Sequence, residues 1–132
     1  MSKEPVIETD RLILRPITLN DAKDCFGWAS DERVNQFMPN PIMTDIRQTI
    51  QWIQSTLTDE TEWHWAFVLK ETNQVIGSGS IGPHAQMKGY WNIGYNLHYD
   101  YWHKGYCTEA MKAIMDFAHK KLGIKNFVQI MR

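Results

Sequence analysis

Gly94-Tyr95-Asn96-Leu97-His98-Tyr99-Asp100-Tyr101-Trp102-His103-Lys104-Gly105-Tyr106-Cys107-Thr108-Glu109-Ala110 decides how this chain folds. Its first residues end a run, Tyr90–Leu97, that reads as a long strand. Its last residues open the clearest helix of the chain, Thr108 to Leu122. There Met111, Ile114, Met115, Ala118 and Leu122 fall at helical spacing, and Gly123 is placed to end the helix. A strand therefore runs into a short loop, and the loop passes through glycine into a helix. The first turn of a helix leaves backbone N–H groups without partners, and its dipole puts partial positive charge there. Phosphate suits such an end. Gly105 lets the backbone approach a ligand, small Cys107 and Thr108 keep the same face open, and Lys104 adds a mobile charge at the rim. The Thr108 hydroxyl can cap the helix or donate to a phosphate. Strand–Gly–helix junctions are common, so geometry alone leaves a phosphate site and a plain structural turn both open.

Outward from this stretch, Arg11-Leu12-Ile13-Leu14-Arg15 alternates as a short strand stopped by Pro16. A helix is expected from about Leu19 to Ala29, then helical turns over Glu32 to Phe37 and a breaker at Pro39-Asn40-Pro41. Thr44 and Asp45 open a second amphipathic helix that carries Ile46, Ile50, Ile53 and Leu57 on its apolar side. After the acidic loop Thr58–Glu62 come strands Trp63–Leu69 and Val75–Ile81 with a turn between them, and Asn126–Met131 forms a final strand. The order β-α-α-β-β-β-α-β is a mixed α/β (α+β) domain, an antiparallel meander feeding a crossover helix whose last strand returns parallel.

The 132 residues make one domain with a self-sufficient core. Net charge is −1, and no run of Lys or Arg exceeds two residues, so a nucleic-acid partner is not expected. No stretch approaches the ~18 apolar residues of a membrane span, and the charged first twenty residues hold no apolar signal region. Two cysteines, Cys25 and Cys107, make no disulfide framework, and a cytoplasmic protein is the expectation. Ten of the aromatic residues crowd between Trp63 and Tyr106, as a core or a flat-walled cleft requires.

Trp102-His103-Lys104-Gly105-Tyr106-Cys107-Thr108-Glu109-Ala110 resembles the acetyl-CoA signature of the GNAT N-acetyltransferase superfamily, Gln/Arg-x-x-Gly-x-Gly/Ala, in the variant of the ribosomal-protein-alanine acetyltransferase branch. Glu8-Thr9-Asp10-Arg11-Leu12-Ile13-Leu14-Arg15-Pro16 and Ile93-Gly94-Tyr95 resemble the same branch. The resemblance implies a pyrophosphate held by main-chain amides of His103, Lys104, Gly105, Tyr106, Cys107 and Thr108. It implies a pantetheine arm paired to Tyr95, Asn96 and Leu97, with a main-chain N–H at that strand end acting as the oxyanion hole. Acetyl-CoA is then the co-substrate, no metal is needed, and acetyl passes directly to a primary amine, a protein N-terminus or a small amine.

Two departures from that pattern matter. Many relatives carry Glu two residues before the Gly-Tyr pair, where it serves as base. This chain has Asn92, and a neutral amide accepts no proton, so the catalytic residues stay unassigned, with His84 and His98 as candidate substitutes. Relatives also continue beyond Asn126–Met131 with another helix and further strands. The expected fold is therefore a GNAT-like mixed, mostly antiparallel sheet flanked by helices, lacking the last helix and strands. Residues 1–132 are then expected to form a C-terminally incomplete acetyl-CoA-binding domain whose exposed last strand invites self-association. A non-catalytic CoA-binding module or inactive truncated remnant is the alternative, and a plain protein-interaction domain the third reading.

Weaker motifs resolve toward structure. Gly77-Ser78-Gly79-Ser80-Ile81-Gly82 matches a dinucleotide fingerprint, but Pro83 follows where a helix should open, so a glycine-rich strand close to a ligand or bulged is the better account. His98, His103 and Cys107 lack a fourth ligand for zinc. Met111 and Met115 read as packing, and Trp63 and Trp65 share one face of their strand, more as core than as ligand wall.

Overall fold

Trp63–Leu69 explains the architecture, because both of its faces are covered. Trp65, Phe67 and Leu69 point to one side and Ala66 and Val68 to the other, and all five are buried. A strand needs alternation only when one face meets water, and this one sits in the middle of a sheet with helices on either side. The computed structural model describes residues 3–35 and 42–129. The expected breaker Pro39-Asn40-Pro41, the end of the Glu32–Phe37 turns and the last residues of the Asn126–Met131 strand lie outside them.

The sheet contains β1 (Ile7–Glu8), β2 (Leu12–Pro16), β3 (Trp63–Leu69), β4 (Gln74–Pro83), β5 (Tyr90–Leu97) and β6 (Asn126–Gln129), adjacent in chain order. Every pair is antiparallel except β5 with β6, which run parallel as a crossover helix requires. Two-residue β1 is too short to carry a period, and the sequence pattern omitted it. A bulge interrupts the β3–β4 register: Phe67 faces Gly77 and Val68 faces Val75, leaving Ile76 as the extra residue.

The helices are α1 (Ala22–Ala29), α2 (Glu32–Asn35), α3 (Ile46–Thr58) and α4 (Tyr106–Leu122). One core lies between the sheet and α4, joining Leu12, Leu14, Trp65, Phe67 and Ile81 to Ala110, Ile114 and Ala118. A second lies under α1 and α3, where Cys25, Trp28 and Ile53 meet Ala66, Val68 and Val75. Trp63 and Trp65 stack at 6.3 Å and both meet the edge of Phe117, and the Trp65 indole donates to the Pro5 carbonyl at 3.0 Å. This aromatic crowding is core.

The apolar side expected for α3 is rotated. Ile53 is fully buried, but Ile46 and Leu57 are 38% and 48% exposed, while Thr49 and Thr56 are buried. Thr56 donates its hydroxyl to the Ile53 carbonyl at 2.7 Å and Thr49 meets the Met43 sulfur at 3.1 Å, so both hydroxyls enter the core with partners. Asp45 caps the helix as expected: it accepts from the Arg47 amide, and Gln48 reaches back to the Asp45 amide. Helix α4 begins at Tyr106, two residues before the expected Thr108, because Gly105 at φ 82° is its N-cap. Gly123, at φ 70°, ends it.

Candidate active site

The junction between β5 and α4 is built from turns that use up their own polar groups. His98 accepts the Asp100 amide on Nδ1 at 3.2 Å and opens a short 3-10 turn, Tyr99–Tyr101. Trp102 turns its indole back to the Leu97 carbonyl at 2.9 Å. The chain then takes two left-handed steps on either side of Lys104, at His103 (φ 63°) and Gly105 (φ 82°). Left-handed geometry is costly for a residue with a side chain, so its presence at His103 marks a loop held in shape by its surroundings. No side chain caps the helix that follows. The amides of Tyr106, Cys107 and Thr108 open α4, where intrahelical acceptors do not exist.

Arg11 holds this loop. Its guanidinium donates to the Lys104 carbonyl at 3.0 Å, lies 4.2 Å from the Tyr106 ring centre and pairs with Glu109 at 2.7 Å. Glu109 also accepts from the Thr9 hydroxyl at 2.6 Å and the Arg11 amide at 2.8 Å. Burial works against ionising Glu109, but the hydrogen bonds from Thr9 and Arg11 outweigh it and hold the carboxyl below its usual range. The result is a loop that carries one fixed cation, Arg11, beside the exposed Lys104. Arg11 was legible only as a strand residue; its role comes from a contact 93 to 98 residues away in the chain.

His103, Lys104, Gly105 and Thr108 are exposed, Cys107 is half-buried and Tyr106 is buried. Only the Tyr106 main chain can therefore face a ligand. Cys107 packs toward the α4 core rather than keeping a face open, and burial pushes its thiol up to about 12. Thr108 is the third residue of α4 and does not cap it. On β5, Tyr95 and Asn96 are half-buried and Leu97 is buried. Among the described residues the ladder from β5 to β6 covers Tyr90–Ile93. His98 donates its amide to the Ile76 carbonyl of β4 at 2.7 Å. Antiparallel alternation then directs the Leu97 main chain away from β4.

The other face of β5 borders a cavity of about 150 Å³ under α3. Ser78, Ser80, Asn92 and Asn96 line its floor, Trp52 of α3 one side, and Glu62 and His64 the far wall. Asn92, where the resemblance leads one to expect a carboxylate base, thus lines this cavity. His84 and His98 do not line this cavity; each has its Nδ1 committed to closing a turn, His84 accepting from Gln86 and Met87. His64 escaped the sequence reading. The signal was there: if Trp63 and Trp65 share the α4 face, His64 between them must point to the opposite one. Nor do His98, His103 and Cys107 gather as metal ligands.

Glycine is required in β4 for close packing, not for phosphate. A Cβ at Gly79 would meet Phe67 Cζ at 2.6 Å, and one at Gly82 would meet Glu62 Cγ at 2.6 Å. The dinucleotide fingerprint is thus excluded on geometry, since two of its glycines face protein side chains.

No helix among the described residues is long and apolar enough to cross a membrane. The profile of the acetyltransferase (GNAT) domain matches residues 11–131. The uncharacterized N-acetyltransferase p20 of Bacillus licheniformis is 31% identical over 119 residues, 88% of this chain and 67% of that protein. Among solved structures, the RimL ribosomal L7/L12 alpha-N-protein acetyltransferase in complex with coenzyme A superposes with a TM-score of 0.82 at 17% identity, covering 97% of this chain and 75% of that one. The microcin C7 self-immunity acetyltransferase MccE, in complex with acetyl-CoA and AMP, gives 0.75 at 20% identity over 91% and 69% of the two chains. At such identities the likeness is one of fold, but the profile spans nearly all of the sequence. The chain belongs to the GNAT acetyltransferase family.

Proposed function

We propose that this domain moves an acetyl group from acetyl-CoA directly to a primary amine, either a protein N-terminus or a small amine. The observation that carries this reading is the uncapped start of α4 behind two left-handed residues, with Arg11 fixed at its edge. Successive unpaired amides at one helix start suit a diphosphate, and the helix dipole adds to them. The residues suited to the diphosphate are His103, Lys104, Gly105, Tyr106, Cys107 and Thr108, through their main chain. We assign Tyr95, Asn96 and Leu97 of β5 to the pantetheine arm, and the Leu97 N–H, directed away from β4, to polarising the thioester carbonyl. Two structural neighbours that hold coenzyme A or acetyl-CoA support the same donor. When bound, acetyl-CoA supplies an activated thioester.

Gly105→Glu tests the loop. The new side chain starts 3.4 Å from the Arg11 guanidinium on a left-handed backbone, so it brings negative charge to the helix start proposed for the diphosphate. Calorimetry is expected to show loss of coenzyme A binding with unchanged helical circular dichroism; equal affinity overturns the assignment. Asn92 favours a second reading, a module that binds CoA without catalysis. Thiol release from acetyl-CoA in the presence of amines separates the two.

A further inference from the structure

Glu62, Gly82 and Asn92 form one row across three strands. Trp63 pairs with Ile81, which puts Glu62 beside Gly82, and Gly82 pairs with Asn92. Because Gly82 has no side chain, the Glu62 carboxylate lies over it, with Oε2 3.0 Å from the position a Cβ would take. A carboxylate from the residue just before β3 thus leans toward the position where Asn92 offers none. His64 follows two residues on and on the same face, opposite Ser80, which pairs with Gly94.

His64 is poised between two carboxylates. Its Nε2 lies 3.4 Å from Glu62 and 4.0 Å from Asp59, and its side chain is 14% exposed. Its main-chain amide donates to Glu4 at 2.9 Å, which fixes the strand end. The ring also stands between two spaces. On one side is the polar cavity beside β5; on the other is an open groove of about 690 Å³ bounded by Lys3, Leu57 and Glu60. A group in that position can take a proton from the cavity and release it to the groove.

Resting on the acetyl-transfer reading, we propose that His64 is the general base of this enzyme and that Glu62 positions it and draws the acceptor ammonium into the cavity. The ammonium gives one proton to neutral His64. The freed amine nitrogen attacks the thioester carbonyl carbon, a C–N bond forms and the C–S bond breaks. The second amine proton leaves with the leaving thiolate, directly or through water, giving amide and free thiol. The imidazolium, held between Glu62 and Asp59, returns its proton to solvent through the groove.

The charge environment agrees with this role. Burial lowers the His64 pKa and outweighs Glu62, Asp59 and Glu4, which raise it, while Lys3 lowers it further. The ring is therefore neutral, and able to accept a proton, at pH 7. Glu62 and Asp59 approach from the α3–β3 connection, and Glu4 and Lys3 from the N-terminal segment. The groups facing the ring from β4 and β5 are uncharged, namely Ser78, Ser80, Asn92 and Asn96.

The test uses wild type, His64→Gln and Glu62→Gln with acetyl-CoA and a mixture of Ala-, Ser- and Met-initiated hexapeptides with spermidine. His64→Gln is expected to lower kcat about a hundredfold or more while leaving coenzyme A affinity unchanged by calorimetry. It should also abolish the acidic limb of the pH profile. Glu62→Gln should shift that limb to lower pH, because it removes a charge that favours imidazolium, and should raise the KM for amine. A purely structural role for either residue moves neither limb nor amine KM. Active wild type alongside a His64→Gln variant that keeps its kcat and its limb overturns this assignment alone. Wild type that acetylates none of the probes overturns the transferase reading and this assignment together. Should His64→Gln fail to fold, NMR titration of the wild-type His64 imidazole decides: its midpoint must coincide with the acidic limb, and a mismatch overturns the proposal.

Discussion

Adding one methyl group at Gly79 is expected to weaken the whole sheet. The position faces α4, and a Cβ there would come within 2.6 Å of Phe67 Cζ, 3.0 Å of Phe67 Cε1 and 3.2 Å of the Met111 sulfur. The thioether can swing away, since methionine is adaptable. The ring cannot, because Phe67 is 0% exposed and stands among Leu12, Leu14, Trp65 and Ile114 in the same core. Overpacking of this kind costs about 1–3 kcal/mol, and replacing a strand glycine by alanine returns about 0.5–1 kcal/mol of chain entropy. A 2.6 Å clash with an immobile ring belongs to the upper part of that range, about 2–3 kcal/mol, so the net loss for Gly79→Ala is about 1–2.5 kcal/mol. With a urea slope near 2 kcal/mol/M, the unfolding midpoint should fall by about 0.5–1.25 M at unchanged slope. Phe67→Leu removes the clashing ring tip, so the double variant should lose less than the sum of the two single losses. A Gly79→Ala protein as stable as wild type, or strictly additive losses, would refute the close-packing account of the β4 glycines.

Asp21 should govern acid stability. Burial disfavours its charge, but Arg15 at 2.8 and 2.9 Å and the Thr18 amide at 2.8 Å outweigh that and lower its pKa in the folded state. Its contribution is complete above its unfolded pKa and lost as pH falls through the lower folded value, so stability should drop below about pH 4. In Asp21→Asn, urea midpoints measured from pH 7 to 2 should fall less steeply. The thiols should be inert in the native protein, because burial pushes Cys107 up to about 12 and Cys25 higher still. Iodoacetamide at pH 8 should add no mass to the folded chain and two adducts in urea; rapid native labelling of Cys107 would show that it faces an open site after all.

Strands and helices with strong periods were legible in the sequence. Tyr90–Leu97 matches β5 and Trp63–Leu69 matches β3, since a buried strand of seven or eight residues carries enough pattern. Helix α3 was placed correctly but turned wrongly. Its inward residues include Thr49 and Thr56, whose hydroxyls are satisfied within the fold, so polarity misreported direction. The loop before α4 was visible because glycine, small residues and a helix start coincide in one stretch. Its clamp was not, because Arg11 and Glu109 meet only once the sheet has formed. The polar cavity was hidden for the same reason. His64 belongs to β3 and Glu62 directly precedes it, Ser78 and Ser80 belong to β4, Asn92 and Asn96 to β5, and only strand register brings them together.

The clasp of Thr9 and Arg11 on Glu109 joins segments 98 and 100 positions apart. Such distant pairings form late, after the intervening chain has condensed. A nascent polypeptide emerging from the ribosome therefore holds both halves of the clasp apart until most of its length has been made. Trimming or tagging the first dozen residues acts at the opposite end of the sequence, by unfastening the turn that leads into α4. Expression tags on this protein are accordingly better placed away from its amino terminus.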